Sequence, residues 1–319
     1  MKRKEPALTD ILAAQAHVYQ HLKPTLLYNY PTLSKFAGTQ IWLKHENHQP
    51  VGAFKVRGGL NLAANLTREE KQNGLYTAST GNHGQSIAYA ARAFGIKAVI
   101  AVPNGANPGK VAAMEGMGAE VLFHGADFDE AREWVKHIAM EKNGKFVGPT
   151  DEALIHGVGT YALEILNDLP AVDTIIVPVG AGSGVCGTGI VAKTINKNIE
   201  IIAVQSAQAP SMQLSWASGT MITSEMKTIA EGLATRVPFE NTQHLMQKYV
   251  DDFILVDDKD IQSAVSLLLE HTHNLVEEAG AAPLAAALQL KDKLKNKKVA
   301  VVISGGNLSM QNLKKLVSD

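Results

Sequence analysis

Lys55 stands in the stretch Val51–Asn61 (VGAFKVRGGLN), directly after Phe54 and followed by two glycines, with no acidic residue within five positions on either side. Surface lysines ordinarily sit in polar runs of mixed charge. A lysine desolvated in an apolar setting loses part of its preference for the ammonium form. The resulting neutral amine is a nucleophile that forms a Schiff base with an aldehyde.

Three glycine-bearing loops could work alongside such an amine. The first, TASTGNHGQS (Thr77–Ser86), precedes a segment of helical period from Gln85. Its small residues expose backbone N–H groups at a helix N-terminus, and Ser79, Thr80, Asn82 and His83 add hydrogen bonds. That combination suits a carboxylate, though an N-cap turn that binds nothing has the same composition. The second, PVGAGSGVCGTG (Pro178–Gly189), follows an apolar run. Gly180, Gly182 and Gly184 permit close backbone approach, and successive amides form an anion nest. The dinucleotide fingerprint is absent, because Val204 is followed by Gln205 rather than an acid. No Lys-Ser/Thr of a P-loop is present either. The guest is therefore one small phosphate, or else the loop is only a tight turn. The third, ISGGN (Ile303–Asn307), offers the neutral hydroxyl of Ser304.

The elements that must position these loops follow a regular alternation. Near-continuous apolar runs at Leu75–Ala78, Ala98–Val102, Thr174–Val179, Ile199–Val204 and Val299–Ser304 read as strands buried on both faces, with shorter ones at Ile41–Leu43, Val121–Phe123 and Phe253–Val256. Helical patterns lie between them at Gln85–Phe94, Asn107–Met117, Phe128–Lys142, Gly159–Asn167, Gly184–Thr194, Asp258–His273 and Ala281–Leu294. This βα alternation predicts an α/β fold of two open, mainly parallel sheets with helices on both faces. A small domain, 71–147, is expected to be inserted in a large one, 1–70 and 148–319. Chemistry is expected at the carboxyl ends of the strands.

Composition narrows the partners. Of 319 residues, 45% are hydrophobic and 19% charged, and the net charge is -1, so a nucleic-acid or membrane-surface partner is not expected. The single cysteine, Cys186, reads as a small core residue and points to a reducing, cytoplasmic setting. No apolar run is long enough to span a bilayer.

An amine, a monophosphate nest, a carboxylate loop and a neutral hydroxyl together suit pyridoxal 5′-phosphate carrying an amino acid. The same residues carry a resemblance. Phe54-Lys55-Val56-Arg57-Gly58 resembles the S-F-K-x-R-G motif of fold-type II pyridoxal-phosphate enzymes, within them the threonine/serine dehydratase and serine racemase family. Ser79–Gln85 (STGNHGQ) resembles that family's substrate loop, and Gly180–Ser183 (GAGS) stands at its phosphate tetrad. Val276–Ala281 (VEEAGA) resembles its V-E-P-S-G-A segment, and Ser304–Asn307 its S-G-G-N. The motifs keep the family's order over nearly the whole chain. Ala53 replaces the usual serine, Ala181 and Ser183 interrupt the tetrad, and Glu278 and Ala279 replace Pro-Ser. Gln205 and Ser211 stand where metal-binding relatives have acids, so no metal is expected there.

The resemblance implies a fold with a small domain inserted in a large one, and an activity: loss of water from L-threonine or L-serine to give a 2-oxo acid and ammonia. It implies that Lys55 holds the cofactor and moves the Cα proton. Phe54, Asn82, Gly180, Ala181, Gly182, Ser183, Gly184 and Ser304 contact the cofactor, with Ser304 at the pyridine nitrogen. Ser79, Thr80, Gly81, Asn82 and His83 hold the substrate. A homo-oligomer, with a dimer favoured, is implied as well. Glu231 and Glu277 admit either a substrate-facing or a structural role. Related readings are a hydroxyaspartate or phenylserine dehydratase, a serine racemase, or a protein that binds cofactor or amino acid without catalysis. A racemase of this family carries serine directly before Gly-Asn-His, where this chain has Thr80.

Overall fold

The computed structural model describes residues 5–318. Its strands, in chain order, are β1 (Leu27–Asn29), β2 (Gln40–His45), β3 (Leu75–Ala78), β4 (Ala98–Val102), β5 (Glu120–Phe123), β6 (Lys145–Phe146), β7 (Thr174–Pro178), β8 (Glu200–Ser206), β9 (Asp252–Val256) and β10 (Lys298–Ile303). They form a six-stranded sheet ordered β1-β2-β10-β7-β8-β9 and a four-stranded sheet ordered β5-β4-β3-β6. Every pairing is parallel except β1 with β2. The α/β class expected from the apolar runs is the class observed.

The chain divides into two compact units. The larger comprises the chain up to Leu8, Pro24–Phe54 and the chain from Gly159, and it contains the six-stranded sheet. All five residues of β7 are buried, as a Val/Ile run covered on both faces requires. Its core joins Ile41 and Leu43 of β2, Ile202 and Val204 of β8, and Val299, Val301 and Ile303 of β10 with Ala281–Ala287 of the helix Glu278–Gln289. Alanines dominate that helix face because a helix buried beneath a sheet needs small side chains to approach it.

The smaller unit comprises Thr9–Lys23 and Lys55–Val158 and contains the four-stranded sheet. Tyr76, Ala78, Val99 and Ala101 pack on Ala131, Val135 and Ala139 of the helix Phe128–Glu141. That helix starts where Asp127 accepts hydrogen bonds from the amides of Asp129 and Glu130. Besides segment 71–147, this unit takes in the helices Leu8–Val18 (from Thr9 onward) and Lys55–Ala64. Neither helix was evident in the sequence. Lys55 is the first residue of the second of these helices.

Candidate active site

In the larger unit, the SGGN segment clamps the chain just before the lysine. Phe54 N–H donates to Ser304 O (3.0 Å), Gly306 N–H donates to Gly52 O (2.8 Å), and Asn307 Nδ2 donates to Val51 O (2.9 Å). Ala53 and Gly305 form an antiparallel bridge. Residues 51–54 are thus zipped onto the segment that leaves the carboxyl end of β10, and Lys55 is the next residue along the chain. Glu277 N–H donates to Gly305 O (3.1 Å), so the VEEAGA segment braces the clamp. Ser304 is buried and carries no charge.

The second glycine loop turns from β7 into the helix Ser183–Ile195. Gly182 is the N-cap at φ 99°, and a Cβ there would come within 2.9 Å of Thr242 Cβ. That left-handed conformation and that contact both demand glycine. No side chain caps this helix and no acid lies in its first turn. Its first amides therefore face a site suited to an anion. Thr242 Oγ1 steadies the loop by donating to Ala181 O at 2.7 Å. The turn Glu231–Leu233 abuts the loop, since a Cβ on Gly180 would collide with Gly232 O. Glu231 itself is exposed.

In the smaller unit, Lys55 begins the helix Lys55–Ala64, which lies against the helix Asn82–Ala93. Ser86 Oγ donates to Lys55 O at 2.6 Å, and a Cβ on Gly59 would lie 2.5 Å from Ser86 Oγ. Gly59 serves this close approach, and Gly58 a second one, where a Cβ would lie 2.8 Å from Leu154 O. The substrate-loop residues Ser79 to His83 run into the second helix, which starts at Asn82 rather than at Gln85. Ser79 Oγ accepts from Gly81 N–H (3.2 Å), shaping the turn.

His83 is buried, and its Nε2 lies 3.3 Å from Val147 O. A carbonyl only accepts, so Nε2 carries the hydrogen and Nδ1 of the neutral ring is an acceptor. Burial, reinforced by the neighbouring Lys55 charge, pushes this imidazole down to about 3. His83 is therefore neutral at physiological pH and offers no cation.

Gln205 and Ser211 have other work. Gln205 Oε1 accepts from the amides of Met212 (3.1 Å) and Gln213 (3.2 Å), and Ser211 Oγ donates to Thr235 O (2.5 Å). Among the described residues, no group of three or more His, Cys, Asp or Glu side chains is placed to hold a metal ion. Cys186 is buried, and burial raises its thiol beyond ordinary reactivity.

Two contributors went unread in the sequence. Thr242 lies far from the glycine loop in sequence and looks like an ordinary core residue. Ser86 did carry a signal, because it follows Asn82 by one helical turn and shares its face.

In the larger unit, the uncapped helix start shaped by Gly182 and the buried neutral hydroxyl of Ser304 suit the phosphate and ring of pyridoxal phosphate. Residues 18–305 match the sequence profile of the family described as pyridoxal-phosphate dependent enzyme. The chain belongs to that family. It is 39% identical over 313 residues to an L-threonine ammonia-lyase of Thermotoga maritima, covering 98% of this chain and 78% of that protein. Among solved structures, it is similar to the processed form of threonine deaminase isoform 2 from Solanum lycopersicum. That match has a TM-score of 0.93 and 32% identity, over 98% of this chain and 91% of the other. It is also similar to a serine racemase from Dictyostelium discoideum, with a TM-score of 0.90 and 34% identity over 95% and 99% of the two chains. The family's cofactor is pyridoxal phosphate, as the lysine and glycine loop had implied.

Proposed function

We propose that this enzyme is an ammonia-lyase that converts L-threonine, and L-serine with it, to the 2-oxo acid and ammonia. The observation that carries the reading is the Phe54–Ser304 hydrogen bond, which chains the lysine to a segment bearing a buried, uncharged hydroxyl. When bound, pyridoxal phosphate supplies the electron sink that makes the substrate's Cα proton removable. Lys55 holds the cofactor and takes that proton, and its tethering makes the transfer effectively intramolecular. The Cβ–O bond breaks and the hydroxyl takes up one proton to leave as water. The enamine gains a proton at Cβ to become the imine, which a second water hydrolyses to the 2-oxo acid and ammonia.

Ser304 is assigned to the pyridine nitrogen, where a neutral hydroxyl does not hold a proton on the ring as a carboxylate would. Phe54, Asn82 and Gly180 to Gly184, with Ala181 and Ser183 contributing through their backbone, complete the cofactor site. Ser79, Thr80, Gly81 and Asn82 hold the substrate carboxylate through amides and neutral side chains. The neutral ring of His83 contributes an acceptor, so its contact is to a donor on the substrate. In this reading segment 71–147 presents the substrate loop, while 1–70 and 148–319 hold the cofactor. A cytoplasmic homo-oligomer completes the proposal.

The test is substrate discrimination by the purified protein. L-threonine, L-serine, 3-hydroxyaspartate and O-acetylserine are supplied separately, and 2-oxo acid, ammonia and product enantiomer are measured. Equal amounts of 2-oxobutanoate and ammonia from L-threonine are expected. D-enantiomer without 2-oxo acid would replace this reading with racemisation.

A further inference from the structure

We propose that Tyr161 is a positioning residue that sets the orientation of the phosphate-binding turn and couples it to the backbone leading into Lys55. The inference rests on the assignment of Gly180 to Gly184 as the phosphate site.

Tyr161 lies in the helix Glu152–Asp168 and is fully buried. A buried tyrosine hydroxyl needs a partner. Here Oη donates to Gly184 O at 3.0 Å. The Thr188 hydroxyl lies 2.8 Å from Tyr161 Oη and 2.9 Å from Gly184 O, closing a three-membered polar cluster inside an apolar core. The choice of carbonyl matters. Because a peptide group is planar, fixing Gly184 O also fixes the direction of Val185 N–H. Val185 belongs to the uncapped first turn of the helix Ser183–Ile195, whose amides are the anion donors. Tyr161 therefore aims one of those donors without touching the anion.

The same side chain reaches the lysine's approach. The Phe54 ring stands edge-on to Tyr161, with centroids 6.3 Å apart and planes at 85°. A Cβ on Gly184 would lie 3.3 Å from Tyr161 Oη and 3.5 Å from Phe54 Cε2, so both rings close over this glycine. Phe54 in turn is bonded to Ser304. One tyrosine thus touches the phosphate turn through its hydroxyl and the residue before Lys55 through its ring edge.

Tyr161→Phe keeps the ring against Phe54 and removes only the hydroxyl. Thr188→Val removes the other hydroxyl at nearly constant volume. Three quantities are read on each variant and on the double variant: the dissociation constant for pyridoxal phosphate, the ³¹P resonance of the bound cofactor, and the rise in Tm on adding cofactor to the apoprotein. Tyr161→Phe is expected to weaken cofactor binding roughly tenfold, shift the ³¹P line and shrink the cofactor-dependent Tm rise. The double variant should lose less than the product of the two single effects, because both act through Gly184 O. If Tyr161→Phe does not fold, Thr188→Val carries the same three readings.

A fall in Tm that is equal with and without cofactor, at unchanged affinity and unchanged ³¹P shift, would make Tyr161 a core residue only and overturn the inference. Gly182→Val separates this failure from failure of the phosphate assignment. If Gly182→Val also leaves cofactor affinity unchanged, the assignment itself is wrong. If it abolishes binding while Tyr161→Phe does nothing, only the role of Tyr161 is lost.

Discussion

Acid should destabilise this protein through two histidines, and the size of the effect can be worked out. His83 is held down to about 3 by burial and by Lys55. His45 is held down to about 4, chiefly by burial and by His48 stacked on it at 4.6 Å, while its contact with Asn47 opposes the shift. An unfolded histidine titrates near 6.5. Both folded values lie below that, so below pH ~6.5 the unfolded chain binds the extra protons and stability falls with pH. The contribution is complete above pH ~6.5 and is lost progressively down to about 4 for His45 and about 3 for His83. At pH 5 each group has lost about 1.5 units' worth, or ~2 kcal/mol, giving ~4 kcal/mol together. That is a large share of the ~5–15 kcal/mol that holds an ordinary domain folded. The assay is urea unfolding at pH 7 and pH 5 for the wild type and His45→Gln. The variant lacks one titrating ring, so its loss between the two pH values should be smaller by ~2 kcal/mol. Comparing the two proteins cancels whatever pH dependence the cofactor adds. Equal losses in both would refute the reasoning.

Two further outcomes follow from the site. Ser304→Asp keeps the backbone carbonyl that anchors Phe54, so it should still bind cofactor, as read by the visible absorbance. Its ammonia release should nonetheless fall at least ~100-fold, about 2.7 kcal/mol of barrier; a normal rate with cofactor bound would remove Ser304 from the electronics of the reaction. Treatment with EDTA should leave activity unchanged, because Gln205 and Ser211 are engaged by their own loop; a large loss restored by Mg²⁺ would contradict this.

What the sequence revealed depended on how local the signal was. β3, β4 and β7 are buried throughout, and β4 and β7 are runs dominated by Val, Ile and Ala, so short continuous apolar stretches alone located them. The edge strands β1 and β6, only three and two residues long, are too short to show a period. β1 is held by the next strand, β2, whereas β6 pairs with β3 far back along the chain. The helix starting at Lys55 was obscured by Gly58 and Gly59, which lower helix propensity but are needed where Ser86 and Leu154 come close. Lys55, the two glycine loops and Ser304 were legible because their residue types are unusual for their surroundings. Thr242 and Tyr161 were not, because each has an ordinary sequence neighbourhood and acts on a backbone carbonyl far along the chain.

The central claim is that Lys55 carries the cofactor in a threonine ammonia-lyase. The most direct test is borohydride reduction of the wild type and Lys55→Ala, followed by peptide mass spectrometry and a threonine deamination assay on the same preparations. The account predicts that the wild type carries the reduced cofactor on the peptide containing Lys55 and releases 2-oxobutanoate. It predicts that Lys55→Ala carries no such adduct and loses turnover by several orders of magnitude. An adduct on another lysine, or near wild-type turnover in Lys55→Ala, would contradict it.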